Sequence, residues 1–237
     1  MRCRVRLVVV SGNSAVAVVT GATGGIGRAL VTELIERGYW VVAVGRSPAS
    51  LTDVLPPDRG AFVHWDQRDR TVPRALAELE QVDVLVHNAG VAPLTSVEDT
   101  SAESVADILS VNLTSPTVLT ASLLRALRRA RGHVVFIHSS RGMSGVPGWS
   151  GYLGSKAALE HLANSLRAEE CDQGLRVTSV FPGAVATELL KQVREDRGQP
   201  FEPERSVSPA TAARLIADAV QHPGGGYLTE LSFAWCS

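Results

Sequence analysis

Tyr152 and Lys156 are the two side chains in this 237-residue sequence whose types and spacing most clearly point to chemistry. They are four positions apart, so they share one face if the segment is helical. A free tyrosine has a pKa of about 10, and a nearby positive charge favours the phenolate and lowers that value. The pair therefore predicts a phenol that exchanges a proton near neutral pH. Because such pairs also occur by chance on solvated helices, this prediction depends on the rest of the chain.

A glycine-rich segment near the start of the chain predicts a nucleotide site. The apolar run 15–19 is followed by residues 20–27, which contain four glycines, and then by apolar residues at helical spacing in 28–37. This order indicates a strand, a tight turn and a helix. Glycines let the backbone approach a pyrophosphate, whose charge is met by free N–H groups and the helix dipole. A glycine cluster is also typical of ordinary loops, and its place between strand and helix favours a dinucleotide.

Length and composition favour a single enzyme domain. The chain has a formal net charge of −1 and is 45% hydrophobic, enough to bury a sizeable core. Nothing in this balance indicates a nucleic-acid or membrane partner, and no apolar run reaches membrane-spanning length. Cys3, Cys171 and Cys236 are widely separated and lack metal-ligand spacing, which predicts no metal site and a reducing, cytoplasmic setting. Residues 1–14 are expected to form an N-terminal extension ahead of the first strand.

Strand-like and helix-like segments alternate through residues 15–237, the proposed single domain. The strand candidates are residues 15–19, 40–44, 61–65, 82–87, 133–138, 175–181 and 226–231. The helix candidates are residues 25–37, 71–80, 101–131, 149–173 and 208–221. This alternation predicts an α/β fold with a doubly wound parallel sheet of about seven strands and helices on both faces. Ligands of such folds bind beyond the carboxyl ends of the strands, where the motifs above fall.

Several motifs in sequence order resemble those of classical short-chain dehydrogenases/reductases, which are NAD(P)-dependent oxidoreductases on a Rossmann fold. Residues 20–27, TGATGGIG, are similar to the family's TGxxxGxG cofactor loop. Residues 88–90 resemble its NAG motif, although His87 stands where a second Asn is common, and residues 182–187 resemble its PGxxxT segment. The resemblance covers roughly residues 15–231. It implies a catalytic tetrad of Asn112, Ser139, Tyr152 and Lys156.

Each tetrad residue is expected to take part in reduction of a ketone or aldehyde. Tyr152 would donate the proton, Lys156 would lower its pKa, and Ser139 would stabilise the developing oxyanion. By resemblance, Lys156 also binds the nicotinamide ribose, and Asn112 anchors a water to Lys156. Ser140 is an equally good hydroxyl, and Ser139 is preferred for its position 13 residues before Tyr152. Asn112 has the alternative role of capping or kinking its helix.

The resemblance also implies a set of cofactor-binding residues. They are Thr20, Gly21, Thr23, Gly25, Ile26, Gly27, Arg46, Ser47, Asp66, Gln67, Asn88, Ala89, Gly90, Tyr152, Lys156, Pro182, Gly183 and Thr187. NAD-preferring relatives usually carry an acid just after the second strand, where this chain has Arg46 and Ser47, with no acid before Asp53. Since Arg46 can pair with a 2′-phosphate that a carboxylate would repel, NADP(H) is predicted over NAD(H). The family's second basic position is Gly24 here. Arg28 either adds positive potential or is simply solvated.

Residues 188–207 are expected to form a flexible lid, because their mixed charge and prolines suit a mobile cover better than a packed core. Apolar and small residues around the site favour a modest hydrophobic ketone or aldehyde as the small-molecule partner. By resemblance, the helices at 101–131 and 149–173 would pair in a homodimer or homotetramer.

The leading hypothesis is an NADPH-dependent carbonyl reductase. An alcohol dehydrogenase or a 3-oxoacyl reductase of the same family remains open. A non-catalytic NADP-binding sensor is a further alternative, but such a protein would be expected to lose Tyr152 or Lys156, and this chain keeps both.

Overall fold

The structure, a computed structural model, describes residues 14–222 and 226–236. Its strands are β1 (Val16–Thr20), β2 (Trp40–Gly45), β3 (Gly60–His64), β4 (Val84–His87), β5 (His133–Ile137), β6 (Arg176–Pro182) and β7 (Glu230–Phe233). Its helices are α1 (Gly25–Glu36), α2 (Arg74–Ala77), α3 (Ala102–Leu109), α4 (Ser115–Ala130), α5 (Ser150–Glu170), α6 (Glu188–Asp196) and α7 (Pro209–Val220). The predicted extension at 1–14 lies, apart from residue 14, outside the described residues.

All seven strands form one parallel sheet in the order β3-β2-β1-β4-β5-β6-β7. The order reverses beside β1, since β2 and β4 both pair with it. Every residue of β1 and β5 is buried, as expected for strands covered on both faces by helices. The predicted Rossmann fold with a doubly wound sheet is confirmed.

Two apolar layers hold the helices onto the sheet. On one face, Leu119 and Leu123 of α4 and Leu159 of α5 pack with Phe136 of β5. On the other face, Leu30 and Leu34 of α1 and Ile216 of α7 pack with the small and β-branched residues of β1 and β2. Full burial of each large aliphatic side chain contributes roughly 1.5–3 kcal/mol. This burial fixes the strand ends that carry the candidate site.

The predicted helix at 101–131 is broken into three parts, α3, a π-helical turn at Ser110–Thr114, and α4. Pro116 explains the break, because it has no N–H to donate to the Asn112 carbonyl four residues earlier. The Ser115 N–H instead reaches back five residues to the Ser110 carbonyl. The predicted helix at 71–80 is also shorter than expected, with only α2 forming.

The segment predicted as a flexible lid contains helix α6, which the sequence prediction missed. The Thr187 hydroxyl accepts a hydrogen bond from the Leu190 N–H at 3.2 Å and so caps the helix. Val193 is buried, which attaches α6 to the rest of the protein. The last strand, β7, begins at Glu230 rather than at the predicted residue 226. Among the residues described, the structure has no helix with the length and apolarity needed to cross a bilayer.

Candidate active site

The loop after β1 is held tightly against the loop after β4. The Asn88 Nδ2 group donates to the carbonyls of Thr20 and Gly21, both at 3.1 Å. The Thr20 hydroxyl accepts the backbone N–H groups of Asn88 at 3.1 Å and Ala89 at 3.2 Å. Gly21 has a φ of +61°, and a Cβ there would lie 2.7 Å from the Ala89 Cα. The glycine is therefore required both by its left-handed conformation and by the close approach of the two loops.

Helix α1 begins directly at this loop with a terminus that suits an anion. Its N-cap residue is Gly24, so no side chain caps the first N–H groups, and no acidic residue lies in the first turn. A Cβ at Gly27 would lie 2.1 Å from the Gly21 carbonyl oxygen, and one at Gly25 would lie 2.3 Å from the Thr187 methyl carbon. The glycines thus let the loop after β1, helix α1 and Thr187 lie close together around the uncapped N–H groups of α1.

One cavity of about 490 Å³ joins this loop to the catalytic candidates. The predicted site residues that line it are Gly21, Thr23, Gly25, Ile26, Arg46, Asp66, Gln67, Asn88, Ala89, Gly90, Ser139, Tyr152, Lys156, Pro182, Gly183 and Thr187. Four predicted residues do not line it: Thr20, Gly27, Ser47 and Asn112. Thr20, Gly27 and Asn112 are packed behind the wall, whereas Ser47 accepts the Ala49 N–H at 3.4 Å as the cap of a short 3₁₀ helix.

Two arginines near the end of β2 differ in their contacts. Arg28 donates to the Ser50 carbonyl at 2.8 Å and forms an ion pair with Asp53. Arg46 is exposed, lines the cavity, and within the described part of the chain forms no ion pair. Arg46 is therefore the guanidinium free to meet an anion at this end, whereas Arg28 is occupied.

The residues after β3 supply polar groups to the same end of the cavity. Gln67 is 6% exposed, and its Nε2 atom has no hydrogen-bond partner among the described residues. The Ser115 hydroxyl holds the Gln67 carbonyl at 2.6 Å. Arg68, which the sequence analysis did not select, lines the cavity and pairs with Asp66 at 3.5 Å and Asp107 at 3.1 Å. A buried amide donor without a partner, together with the uncapped helix terminus, fits a bound dinucleotide.

Tyr152 is buried at the other end of the cavity. Burial raises the pKa of its phenol, and the Ser139 hydroxyl opposes that effect. Desolvation of the phenol is the larger of these two effects. The lowering of this pKa by Lys156 stays a prediction.

Lys156 is 8% exposed, and its Nζ donates to the Ile137 carbonyl at 2.8 Å. Burial lowers the pKa of this ammonium from an ordinary value of 10.5 to about 8. A Cβ at Gly90 would lie 3.5 Å from both the Lys156 Nζ and the Asn112 Oδ1. The backbone of Gly90 thus passes close to the Lys156 ammonium, and the absence of a side chain at residue 90 leaves space in the cavity.

Asn112 connects two parts of the site without reaching the cavity. Its side chain accepts from the Val91 N–H and donates to the Val91 carbonyl, both at 2.9 Å. It also donates to the Ser155 hydroxyl at 2.9 Å, and that hydroxyl donates to the Tyr152 carbonyl at 2.6 Å. Asn112 therefore fixes the loop after β4 to the helix that carries Tyr152. The sequence feature that could have indicated the π-helical turn around Asn112 is Pro116.

The two neighbouring serines have different partners. The Ser140 hydroxyl donates to the Pro182 carbonyl at 2.9 Å. The Ser139 hydroxyl donates to the Met143 sulfur at 3.6 Å and lies close enough to the Tyr152 phenol to lower the pKa of that group. Because a thioether is a weak acceptor, Ser139 can redirect its hydroxyl at little cost, whereas Ser140 cannot.

Three histidines, His87, His133 and His138, are buried in the core. His87 bonds Thr120 at 2.8 Å, His133 bonds Thr178 at 2.7 Å, and burial lowers the pKa of His87, His133 and His138 to about 3. Within residues 14–222 and 226–236, no group of three or more His, Cys, Asp or Glu side chains is placed to hold a metal ion.

The sequence matches the short chain dehydrogenase family over residues 15–198, and the chain belongs to this family. It is 33% identical to an uncharacterized short-chain type dehydrogenase/reductase of Sinorhizobium fredii, over 91% of this chain and 89% of that protein. It is 30% identical to the 3-oxoacyl-(acyl-carrier-protein) reductase of Haemophilus influenzae, over 77% of this chain and 78% of that protein. The protein is therefore an oxidoreductase of a family that binds nicotinamide cofactors.

A solved structure supports the same assignment. A metagenomic short-chain oxidoreductase in complex with NADP superposes with a TM-score of 0.76 and 26% identity, over 92% of this chain and 96% of that one. The site described above therefore lies on a fold that holds a nicotinamide dinucleotide in a related protein.

Proposed function

We propose that this protein is an NADPH-dependent reductase that converts a ketone or aldehyde into an alcohol. The observation that carries the proposal is one cavity lined by the glycine-rich loop, Arg46, Ser139, Tyr152 and Lys156. When bound, the nicotinamide supplies a hydride to the carbonyl carbon. The protein's own part is to hold the dinucleotide, orient the carbonyl and deliver a proton to its oxygen.

Tyr152 is the proton donor in this proposal. Because burial raises its pKa, the phenol keeps its proton at neutral pH and is ready to protonate the oxygen as hydride arrives. Ser139 turns its hydroxyl from the Met143 sulfur to the same oxygen and stabilises the developing negative charge. The same groups would serve in reverse for alcohol oxidation, with the phenolate as the base.

Lys156 positions the cofactor and supplies positive charge. Its pKa of about 8 leaves the ammonium charged at neutral pH. With one bond to the Ile137 carbonyl, it retains donors for the nicotinamide ribose. The Asn112 side chain fixes the helix that carries Tyr152. The backbone carbonyl of Asn112 receives no hydrogen bond from Pro116, and it is the proposed anchor of a water that returns a proton to Tyr152.

The preference for NADPH rests on Arg46. An exposed guanidinium at the end of β2, without an ion pair among the described residues, suits a 2′-phosphate, and no acid follows it in the sequence before Asp53. Arg28 adds little because Asp53 neutralises it. Reduction of a 3-oxoacyl thioester is a second candidate, favoured by the similarity to the Haemophilus reductase.

The test measures NADPH and NADH oxidation by the purified protein over ketones, aldehydes and 3-oxoacyl thioesters. We expect Tyr152→Phe and Ser139→Ala each to reduce kcat by at least about 100-fold while the affinity for NADPH is unchanged. Ser140→Ala is the matched control and should retain most of the activity, because its hydroxyl is bonded to Pro182. Undiminished turnover in Tyr152→Phe would contradict the assigned donor, and cofactor binding without turnover on any carbonyl would favour the sensor.

A further inference from the structure

Two arginines and one carboxylate, Glu188, line the lid end of the cavity. Arg194 and Arg197 both line the cavity, and neither forms an ion pair within the part of the chain that the structure describes. Three acids of α6 contact other side chains of the same helix. Lys191 lies 3.6 Å from Glu188 and 3.9 Å from Glu195, and the Gln192 amide donates to Asp196 at 2.7 Å.

The Trp149 ring lies between Arg197 and the proposed proton donor, Tyr152. Its guanidinium carbon lies 5.5 Å from the centre of the Trp149 ring. That ring lies 5.2 Å from the centre of the Tyr152 ring. Arg194 is held from the other side, since its Nη1 donates to Gln199 Oε1 at 2.8 Å. Trp149 thus separates a site for proton transfer from a site for an anion.

The wall between these two sites is apolar. Ala92, Trp149 and Val193 are buried together with Tyr152, and Met143 and Leu94 pack against them. An apolar wall stabilises a short hydrocarbon segment, while guanidinium groups bind carboxylate or phosphate oxygens through charge-assisted hydrogen bonds. A neutral hydrophobic substrate would leave both arginines without an anionic partner.

We propose that the substrate is an oxo compound with an anionic group, which Arg197 and Arg194 bind across the Trp149 ring from the reacting carbonyl. This inference rests on the proposed reductase function and refines its substrate from a modest hydrophobic ketone to a small oxo acid or oxo phosphate. The carbonyl carbon gains a hydride, its oxygen gains the Tyr152 proton, and the reduced nicotinamide is oxidised, so the anionic group is unchanged in the reaction.

The proposed anion site of Arg194 and Arg197 must be distinguished from the cofactor-phosphate site proposed at Arg46. Arg46 lies after β2, whereas Arg194 and Arg197 lie in and after α6, and all three line the same cavity. If the lid arginines bound cofactor phosphates instead of substrate, their removal would weaken NADPH binding and would affect charged and neutral substrates alike.

The experiment compares matched substrates in wild type, Arg197→Met and Arg205→Met. The substrates are small oxo acids, their methyl esters and oxo phosphate monoesters of equal length, with NADPH affinity measured separately by fluorescence titration. Arg205 is the control because it belongs to the same segment, does not line this cavity, and pairs with Glu202 at 3.5 Å. Both variants remove the same charge from the lid.

We expect kcat/KM for the preferred acid to fall about tenfold or more in Arg197→Met, mainly through KM, with little change for the ester or for NADPH affinity. Arg205→Met should behave as wild type, and Arg194→Met should resemble Arg197→Met. Preference for the phosphate over the carboxylate identifies the anion and supports the proposal equally.

Three outcomes would overturn the inference while leaving the reductase intact. The first is wild-type turnover of the esters that equals or exceeds turnover of the anions. The second is an equal loss for acid and ester in Arg197→Met. The third is a loss of NADPH affinity in that variant, which would assign the arginine to the cofactor. No turnover on any substrate in the wild type would instead contradict the proposed function itself.

Discussion

The two ends of the substrate region are built in different ways. Around Tyr152 and Lys156, side chains are buried and fixed by hydrogen bonds to backbone groups, as with Lys156 on the Ile137 carbonyl. Around the lid, Arg197 and Gln199 are exposed and charges are compensated mainly by neighbours on α6. Burial at the first end shifts pKa values, whereas solvent at the second screens charges and leaves them available for ligands. The proposed proton transfer is thus assigned to the buried end, and the proposed anion recognition to the exposed end.

The largest effect should come from the buried end, on replacing Lys156. Lys156→Met should lower kcat/KM about 1,000-fold, because it removes the positive charge and the donors proposed for the nicotinamide ribose. Steady-state kinetics with NADPH would measure this. Activity within tenfold of wild type would show that the buried ammonium is structural.

The same substitution also has a predicted pH signature in stability. The folded-state pKa of Lys156 is about 8 and the unfolded value about 10.5, so between these values the unfolded chain binds more protons. This group therefore makes the free energy of unfolding rise with pH from about 8 to 10.5, and contributes no slope below pH 8. Urea unfolding at several pH values should show a smaller rise in Lys156→Met. Identical slopes would contradict the burial of a charged lysine.

A second comparison sets a tightly packed glycine against an open one, both in helices. Gly27→Ala should lower the free energy of unfolding by about 2 kcal/mol, because the new Cβ would lie 2.1 Å from the Gly21 carbonyl oxygen. Gly154→Ala is the control, since a Cβ at this exposed position of α5 meets nothing within 4 Å. It should be neutral or stabilising by up to about 1 kcal/mol. Equal stability of the two variants in urea unfolding would contradict the close approach of loop and helix.

The smallest effect should come from Arg46, which is proposed to meet the 2′-phosphate of the cofactor. Arg46→Met should raise the KM for NADPH about tenfold and leave the KM for NADH nearly unchanged, because only NADPH carries the 2′-phosphate. Arg28→Met is the control, and the Asp53 ion pair predicts little change in either KM. If both cofactors were affected equally, Arg46 would not be the group that distinguishes them.

Much of this protein could be predicted from its sequence because the relevant physics is local. Apolar runs and glycine positions predicted the parallel sheet and the turn before α1. Side-chain periodicity and a preference for φ > 0 depend on residues that are adjacent in the sequence. The spacing of Tyr152 and Lys156 placed both on α5 for the same reason. The homo-oligomer and the cytoplasmic location remain predictions.

Only the tertiary structure decided the properties that depend on groups far apart in the chain. The pKa of Tyr152 is raised because other elements bury it, which spacing alone could not reveal. Ser139 and Ser140 are adjacent and chemically alike, and they differ because the Ser140 hydroxyl donates to the Pro182 carbonyl of β6. Arg197 reaches Trp149 only because α6 folds over α5. Desolvation and contacts between distant residues are set by packing, so they become known only when the chain is folded.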